Sequence, residues 1–360
     1  MRITPRPAAA ALSPYVPGRS AADEEGSLAS NEPTFPVARG VRDAVVKALA
    51  HLHRYPDPLA GELCLRLAEE LAVDPEQILM GNGSDELIYL LCLAYLPNGG
   101  VVMCADPPYR LHELVPPLMD GVVTRVPLRD WVHDLHAMST TPADFAFICN
   151  PHNPTGTVVS SRSLEEFVET APVGLIVVDE AYIDFADDPG RLTVLHLARA
   201  GKIVLIRTMS KMFGLAGARL GYLIGPVELV DMLRRVRAPF SVNALGQAAG
   251  VAALGERIQH QRYRDHILST RPRLRELFHD AGYRTVPSQA NFVLVIAPDE
   301  APLVARLWES GISVRPGTTL GIPDTVRVTI PSEAGLELLA HALARPGAGA
   351  IAASTGTSAR

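Results

Sequence analysis

The sequence has few cysteines, and none of them lies in a metal-binding or redox pattern. Its 360 residues contain four cysteines with no CxxC pair and no neighbouring histidine cluster, namely Cys64, Cys92, Cys104 and Cys149. We therefore expect neither a disulfide framework nor a metal site. Widely spaced free thiols favour a reducing cytoplasm as the protein's location.

Long apolar runs and basic clusters are also missing. The longest apolar run, "LIYLLCLAYL" at 87–96, has about half the length that a membrane span needs and indicates a buried helix. The five-residue apolar run before Ser13 and Pro14 is too short for a secretion signal. The 33 basic and 39 acidic residues give a net charge of −6. Neither a membrane nor nucleic acid is therefore expected as a partner.

The chain length suits one large domain and one smaller domain. Residues 1–27 and 344–360 are rich in small residues and proline, and we predict a flexible N-terminal arm and a disordered tail. Between them we place a large domain at 28–240 and a small C-terminal domain at 241–343. Residues 28–40 are expected to pack with the small domain.

Apolar runs alternate with helical patterns through most of the chain. Predicted strands lie at 100–105, 121–128, 145–150, 174–182, 202–210 and 219–225, and predicted helices at 39–51, 60–72, 85–96, 163–170, 226–236 and 243–255. Near-continuous apolar strands between amphipathic helices predict an α/β fold with a mostly parallel sheet covered on both faces. A second α/β unit is predicted from helices at 256–281 and 301–310 and strands at 291–297 and 325–331.

Polar side chains follow three consecutive predicted strands. "ICNPHNPTG" carries Asn153 in a turn, "VVDEAY" carries Asp179 and Tyr182, and "RTMSK" carries Ser210 and Lys211. Ligands of parallel sheets bind at the carboxyl ends of the strands. The sequence therefore predicts one site that combines an amide, a carboxylate, a phenol and an amine.

The stretch "GNGSDELI" at 81–88 predicts a helix start that could receive an anion. Gly83 allows a tight turn, Ser84 is a good N-cap residue, and Asp85 lies in the first turn. Free backbone N–H groups at such a start can bind a phosphate. Alone, the turn is not specific.

Together these motifs resemble the signature of the fold-type-I, pyridoxal-phosphate-dependent aminotransferases. The signature residues are Asn153 of NPTG, Asp179 and Tyr182 of DEAY, Ser210, Lys211 and Arg219. "RYPDP" (54–58), "RAPFSVNALGQAA" (237–249) and "ANFV" (290–293) are similar to the histidinol-phosphate aminotransferase branch. The resemblance covers roughly residues 28–343 in the family's order and spacing, which a chance match would not reproduce.

The resemblance implies a fold, a quaternary structure and a reaction. The fold is the type I PLP-transferase fold, with a mostly parallel central sheet sandwiched by helices and a smaller α/β C-terminal domain. The assembly is a homodimer with shared active sites. The reaction moves an amino group from an amine donor, either a histidinol phosphate-like compound or an aromatic amino acid, to a 2-oxo acid such as 2-oxoglutarate.

The resemblance also assigns roles around pyridoxal phosphate. Lys211 would bond to the cofactor and then carry a proton, and Asp179 would pair with the pyridine nitrogen. Asn153 and Tyr182 would hydrogen-bond the ring 3′ oxygen, and Tyr109 would stack on the ring. The remaining cofactor-binding residues, most of them around the phosphate, would be Gly83, Ser84, Asp85, Ser210, Arg219 and, from the partner subunit, Tyr55.

Substrate residues are implied by the same resemblance. Arg327 would grip an acidic group as a bidentate fork, and Arg315 and Asn31 would complete the pocket. Taken singly, several of these residues have structural alternatives. Lys211 alone would be a surface lysine and Arg219 an ion-pair arginine, and Arg315 could close a salt bridge.

The sequence departs from the family pattern around the substrate. In the segment "LASNEPTF" (28–35), one residue of the usual motif is missing or changed and the aromatic is Phe35, which suggests that a substrate-contacting hydroxyl is lost. His152 replaces an asparagine in "PHNPTG", and Pro331 follows the strand in "RVTIPS". The same cofactor also supports decarboxylation, elimination or cyclisation, so these activities stay open as alternatives. A non-enzymatic scaffold is disfavoured by the intact cofactor set.

Overall fold

The structure, a computed structural model, describes residues 3–12 and 18–344. Within these residues the helices are α1 (Pro7–Ala11), α2 (Arg39–Leu49), α3 (Gly61–Leu71), α4 (Gly83–Tyr95), α5 (Arg110–Leu118), α6 (Leu135–Ser139), α7 (Ser161–Thr170), α8 (Pro189–Leu192), α9 (Leu195–Arg199), α10 (Val227–Val236), α11 (Ala244–Leu254), α12 (Arg257–Asp280), α13 (Glu300–Glu309) and α14 (Glu333–Ala344). The strands are β1 (Ile78–Asn82), β2 (Val101–Asp106), β3 (Val122–Pro127), β4 (Ala143–Cys149), β5 (Val173–Asp179), β6 (Val204–Thr208), β7 (Leu220–Ile224), β8 (Arg284–Thr285), β9 (Phe292–Ile296), β10 (Arg315–Pro316) and β11 (Thr325–Thr329).

The larger sheet has seven strands in the order β1-β7-β6-β5-β4-β2-β3. Strands β2 to β6 pair in parallel, whereas β7 runs antiparallel to both β6 and β1. The carboxyl ends of β1, β2, β4, β5 and β6 therefore share one edge with the amino end of β7. The predicted α/β fold with a mostly parallel sheet is confirmed.

Helices cover both faces of this sheet because its strands are apolar on both sides. Along β5, Ile176 and Val178 belong to one core cluster and Val177 to the other, as the two-residue period of a strand requires. Helices α2, α3, α7 and α11 pack on the first cluster, and α4, α5 and α10 on the second. The sheet is thereby held between two layers that fix its carboxyl edge.

The smaller sheet has four antiparallel strands in the order β10-β11-β9-β8. It packs on α12, α13 and α14 through a third core that includes Ile267, Val293, Leu303 and Leu339. Leu28, near the N-terminus, belongs to this core as well. Residues before β1 in the chain are thus built into the C-terminal sheet's core.

Every predicted helix and strand overlaps an observed one. Beside the site, the two-residue strand β10, strand β1 and helix α5 were not predicted, and the last two run against their local sequence. Strand β1 is short and ends in Gly81 and Asn82, two residue types that are typical of turns. Helix α5 contains Pro116 and Pro117, a composition that argues against a helix. Packing on the sheet overrides the local preference in both cases.

Parts of the predicted ends lie outside the described residues. These are residues 1–2 and 13–17 of the predicted arm and residues 345–360 of the predicted tail. Among the residues that the structure describes, no helix has the length and apolar character that crossing a membrane requires.

Candidate active site

One edge of the larger sheet gathers the polar residues predicted from the sequence. Asp179 is the last residue of β5, and Asn153 and Lys211 follow β4 and β6 within a few residues. Arg219 immediately precedes β7, whose antiparallel direction brings its amino end to the same edge. The topology therefore places residues from four neighbouring strands together, as expected for a parallel sheet.

Asp179 is a buried carboxylate without a cationic partner among the described residues. It is 2% exposed, and its Oδ1 accepts a hydrogen bond of 3.0 Å from the Ala181 N–H. The imidazole Nε2 of His112 lies 3.7 Å from Oδ2, but burial lowers the pKa of His112 to about 3 and leaves it neutral. Burial accordingly raises the pKa of Asp179 to about 7.

Lys211 is half-buried. Its amine faces the space between the Ser30 carbonyl, the Tyr182 ring and several charged groups, which is called the cleft below. Its Nζ donates a 3.1 Å hydrogen bond to the Ser30 carbonyl and lies 5.9 Å from the centre of the Tyr182 ring. Withdrawal from water, followed by the charge of Arg327, lowers the pKa of Lys211 to about 8, while the Glu32 carboxylate acts in the opposite direction. An amine with this pKa is partly uncharged near neutral pH.

The Tyr182 hydroxyl is held by two amides. It accepts hydrogen bonds from Asn153 Nδ2 at 3.2 Å and from Asn31 Nδ2 at 3.1 Å. Burial raises the pKa of Tyr182 to about 12, so the phenol stays protonated at neutral pH. Its O–H can therefore donate to a third group.

The first residues of α4, Gly83 to Asp85, lie next to Arg219, and their backbone N–H groups form what is called the cradle below. The helix begins at Gly83, so the prediction that Ser84 is the N-cap is wrong: Asn82 holds that position, and its N–H donates to Glu86 Oε2 at 2.5 Å. Ser84 and Asp85 instead lie in the first turn, where backbone N–H groups lack helical partners. A Cβ at Gly83 would lie 2.5 Å from Arg219 Nη2, so the guanidinium covers the start of this helix.

Tyr109 lies between this cradle and His112, the residue that neighbours Asp179. Its hydroxyl donates to Asp85 Oδ1 at 2.9 Å, and the other Asp85 oxygen lies 3.2 Å from Arg219 Nη2. The Tyr109 ring meets the His112 ring edge-on with centroids 5.2 Å apart. Ser210 follows β6 by two residues at the same edge of the sheet and is 6% exposed.

Arg315 and Arg327 are opposite each other on the paired strands β10 and β11. Both are buried, at 6% exposure each. Arg327 donates through Nη1 to Asn153 Oδ1 at 2.8 Å and through Nη2 to the Ala29 carbonyl at 2.7 Å. Their opposed register places both side chains on the same face of the smaller sheet.

The remaining predicted residues occupy other surroundings. Asn31 is 1% exposed and contacts Tyr182, as described above. Tyr55 is 82% exposed and stacks on Phe240 with ring centroids 4.5 Å apart. Among the departures from the family pattern, Phe35 packs on Tyr263, and His152 is buried with Nδ1 2.9 Å from Thr155 Oγ1.

His112 is the site residue that sequence reasoning missed. Its ring stacks on Phe147 with centroids 4.5 Å apart, and its Nε2 has no hydrogen-bond partner within the part of the chain that the structure describes. The available signal was its position three residues after Tyr109 in "DPPYRLHE". That spacing places both side chains on one face of a helix.

The arrangement fits a planar, protonated heteroaromatic ring that carries an anionic group. The buried Asp179 carboxylate would gain a cationic partner, and the cradle at α4 with Arg219 would receive the anion. The partly uncharged Lys211 amine and the Tyr182 hydroxyl would flank the ring. Together these groups suit proton transfer and covalent amine chemistry.

Comparison with known proteins gives matches over almost the whole chain. The family model of aminotransferase class I and II matches residues 25–343. A histidinol-phosphate aminotransferase from Moorella thermoacetica is 35% identical over 353 residues, covering 94% of this chain and 92% of the relative. An aromatic amino acid aminotransferase from Thermobifida fusca is 36% identical, covering 89% of this chain and 93% of the relative.

A solved structure has the same architecture. The histidinol-phosphate aminotransferase from Sinorhizobium meliloti, determined in complex with pyridoxal 5′-phosphate, superimposes with a TM-score of 0.85. Its sequence identity is 27%, and the match covers 94% of this chain and 95% of that structure's chain.

Proposed function

The chain belongs to the class I and II aminotransferases and is a transaminase, and we propose that it works with pyridoxal phosphate bonded to Lys211. When bound, this cofactor withdraws electrons from the bonds of the carbon that carries the substrate amine. The observation that carries the proposal is Asp179, a buried carboxylate with no cationic partner among the described residues. A protonated pyridine nitrogen is the partner that it lacks.

Residues along one edge of the larger sheet would hold the cofactor. Asp179 would keep a proton on the pyridine nitrogen, Tyr182 and Asn153 would hydrogen-bond the 3′ oxygen, and Tyr109 would lie against the ring. Arg219 and the start of α4 would bind the phosphate. The proposed phosphate set is Gly83, Ser84, Asp85, Ser210 and Arg219, with Tyr55 contributed by a partner subunit.

Lys211 would move the proton that transamination requires. Because the pKa of Lys211 is about 8, deprotonation of Nζ near neutral pH costs little. The neutral Nζ would accept the proton from the substrate Cα and deliver it to C4′ of the cofactor. Ser30 and Tyr182, which lie beside Nζ, would keep the amine in the cleft between these two transfers.

The substrates are an amino donor and a 2-oxo acid. We propose a histidinol phosphate-like amine or an aromatic amino acid as donor and 2-oxoglutarate as acceptor, supported by the names of the relatives with 35% and 36% identity. The buried Arg315 and Arg327 pair supports a substrate with an anionic group, either carboxylate or phosphate. The resemblance implies Asn31 as a further substrate contact. No observation favours decarboxylation, elimination or cyclisation.

A homodimer with shared sites is also proposed. Large apolar side chains between residues 46 and 65 are exposed by 47% to 82%, namely Val46, Leu49, Leu52, Tyr55, Leu59 and Leu65. An apolar surface of this kind is typical of a contact with another protein. Burial of this segment against a second copy would bring Tyr55 to the partner's site. The four free, buried cysteines support the proposed cytoplasmic location.

We further propose that the chain consists of a large and a small domain. The predicted division at 240 and 241 falls just before α11, whose Ala249 and Ala253 belong to the core of the larger sheet. Core membership favours a division after α11 instead. Of the predicted range 28–40, Leu28 and Phe35 pack on the core of the small domain, whereas Val37 and Ala38 pack on the core of the larger sheet. Only the residues up to Phe35 would therefore belong with the small domain.

Borohydride reduction of the protein after addition of pyridoxal phosphate tests the cofactor proposal. The chain has three lysines, Lys47, Lys202 and Lys211, so peptide mass spectrometry assigns the modified residue without ambiguity. We expect reduced cofactor on Lys211, and its loss in Lys211→Ala together with about a 10³-fold or larger loss of activity. Lys47→Arg and Lys202→Arg, both at exposed positions, are the matched controls. Attachment elsewhere, or none, would overturn the proposal.

A donor screen decides the substrate. Formation of pyridoxamine phosphate is measured spectroscopically with histidinol phosphate, phenylalanine, tyrosine, tryptophan and histidine in turn. All of these donors carry a carboxylate or a phosphate. We expect at least one of them to convert pyridoxal phosphate to pyridoxamine phosphate, and 2-oxoglutarate to convert it back. Release of carbon dioxide or ammonia without need of a 2-oxo acid would contradict transamination.

A further inference from the structure

A short N-terminal segment lies between the small sheet and the Lys211 cleft. This segment, residues 28–31, is called the strap below. The Leu28 carbonyl accepts a hydrogen bond of 2.9 Å from the Thr329 N–H, and the Ala29 and Ser30 carbonyls accept from Arg327 and Lys211. The strap thus contacts both strand β11 and two residues of the proposed active site.

Asn31 ends the strap in a fixed backbone conformation. Its φ of 54° lies in the left-handed region, which asparagine tolerates better than most residues. Its N–H donates to Thr329 Oγ1 at 2.9 Å, and its carbonyl accepts from Asn291 Nδ2 at 3.2 Å. Both partners belong to the smaller sheet and the residues that flank it, called the small lobe below. The small lobe therefore sets the position of the Asn31 side chain.

The Asn31 amide is directed at the Tyr182 hydroxyl. Its Nδ2 donates at 3.1 Å, and its Oδ1 lies 3.4 Å from Thr329 Oγ1. The second amide on this hydroxyl, Asn153, has its orientation fixed because Arg327, which can only donate, bonds to its Oδ1. Two donated hydrogen bonds occupy the two lone pairs of the phenol oxygen. Its own proton must therefore point to a third direction.

We propose that Asn31 is a positioning residue that aims the Tyr182 hydroxyl proton at the cofactor's 3′ oxygen. This inference rests on the proposed function and replaces the substrate contact predicted for Asn31, because its amide groups face Tyr182 and Thr329. The strap would also make the small lobe part of the cofactor site, since Thr329 and Asn291 hold Asn31 in place. Loss of the Asn31 donor would leave the phenol free to rotate.

The test compares substitutions at Asn31 in two backgrounds. Asn31→Gly deletes the side chain and keeps the positive φ without strain, whereas Asn31→Asp keeps the shape and replaces the donor by an acceptor. Each is made in the wild-type chain and in Tyr182→Phe. Ala72→Gly, at another residue with positive φ (48°) in the cap after α3, controls for a glycine in the left-handed region.

Two readouts do not depend on activity. In the apoprotein at neutral pH, the Cζ chemical shift of Tyr182, which reports the hydrogen bonds that its hydroxyl accepts, is measured by NMR of ring-labelled tyrosine and assigned by its absence in Tyr182→Phe. In the protein reconstituted with pyridoxal phosphate, the pH midpoint of the visible absorption band is measured. We expect Asn31→Gly to change the Tyr182 Cζ chemical shift in the apoprotein and to move the visible midpoint by roughly half to one pH unit, the size of one hydrogen bond.

The double substitution decides between positioning and mere structural support. We expect the shift of the visible midpoint caused by Asn31→Gly to disappear in the Tyr182→Phe background, and Ala72→Gly to cause none. An equal shift in both backgrounds, or no shift in the wild-type chain, would overturn the role of Asn31. If borohydride attaches no cofactor to Lys211 in the wild-type chain, the proposed function itself fails, so the two failures are distinguishable.

Discussion

Asp179 and Lys211 lie at the same edge of the sheet with pKa values displaced toward each other. Burial raises the pKa of Asp179 to about 7 and lowers that of Lys211 to about 8. Both shifts have the same first cause, since removing water disfavours the charged form of an acid and of a base. Perturbed pairs of this kind are typical of functional sites.

The depressed pKa of Lys211 predicts how its reactivity depends on pH. In the apoprotein, the rate at which Lys211 reacts with an aldehyde reagent should rise through a midpoint near pH 8, because the neutral amine is the nucleophile. Arg327→Met should move that midpoint upward, since the Arg327 charge contributes to the shift. Rates come from mass spectrometry of the Lys211 peptide, with the Lys47 and Lys202 peptides as internal measures of reagent reactivity. A midpoint near the ordinary 10.5 would contradict the prediction.

The raised pKa of Asp179 predicts a loss of apoprotein stability as pH rises. Between about pH 4 and pH 7 the unfolded chain releases the Asp179 proton while the folded chain keeps it, so the unfolded state is favoured increasingly. Asp179→Asn should remove this loss, which amounts to a few kcal/mol at roughly 1.4 kcal/mol per pKa unit. The difference in unfolding free energy between the two proteins is measured in urea at pH 4, 5.5 and 8.

The pH trend of that difference is the diagnostic quantity. Asp179→Asn should gain stability relative to the wild type from pH 4 to pH 7 and then remain level above pH 7. A difference that is constant with pH would show that Asp179 titrates normally in the apoprotein. With the cofactor bound the sign should reverse, because the amide cannot pair with a pyridine nitrogen that carries a proton.

At the scale of elements, the site depends on close contact between β7 and the start of α4. A Cβ at Gly221 would lie 2.3 Å from the Ser84 backbone nitrogen and 2.5 Å from the Gly83 carbonyl carbon. Only glycine allows the helix start to approach the strand this closely. The direction of β7, which brings Arg219 to the same place, completes the proposed phosphate cradle.

Gly221→Ala should therefore displace the N-terminus of α4. We expect a loss of about 1–3 kcal/mol in unfolding free energy and weaker retention of pyridoxal phosphate, seen as cofactor release on gel filtration. Gly217→Ala is the matched control, because a Cβ there meets nothing within 4 Å. Equal cofactor retention in the two variants would show that the cradle tolerates the shift.

At the scale of the whole molecule, a second copy of the chain is proposed to complete the site. Tyr55 is 82% exposed and stacks on Phe240, which is itself 37% exposed. Solvent exposure of two stacked aromatic rings is costly unless another surface covers them. A second copy of the chain is the proposed cover.

Mixing two impaired variants tests this sharing. Lys211→Ala lacks the reactive amine, and Tyr55→Ala lacks the residue supplied to the partner. When the two are unfolded together and refolded, half of the dimers should be mixed, and about a quarter of all sites should be complete. We expect activity well above the sum of the separate variants. A monomer by light scattering, or no recovery, would contradict shared sites.

Sequence alone determined the chemistry of the site edge. Lys211, Asp179, Asn153 and Arg219 occur in motifs whose order and spacing indicate one family, and the apolar strands before them predict where the sheet ends. These signals are local, since strand, turn and motif each lie within about ten residues. For that reason the α/β fold and the family could be predicted without coordinates.

Only the tertiary structure decided the contacts that cross between distant segments. His112 beside Asp179, Asn31 against Tyr182, and Gly221 under Ser84 join residues separated by 67, 151 and 137 positions. No local pattern records such pairs, because they depend on how strands order themselves in the sheet and on how the N-terminal strap packs on the small lobe. The pKa shifts of Asp179 and Lys211 follow from the same packing, since burial, and not residue type, is their main cause.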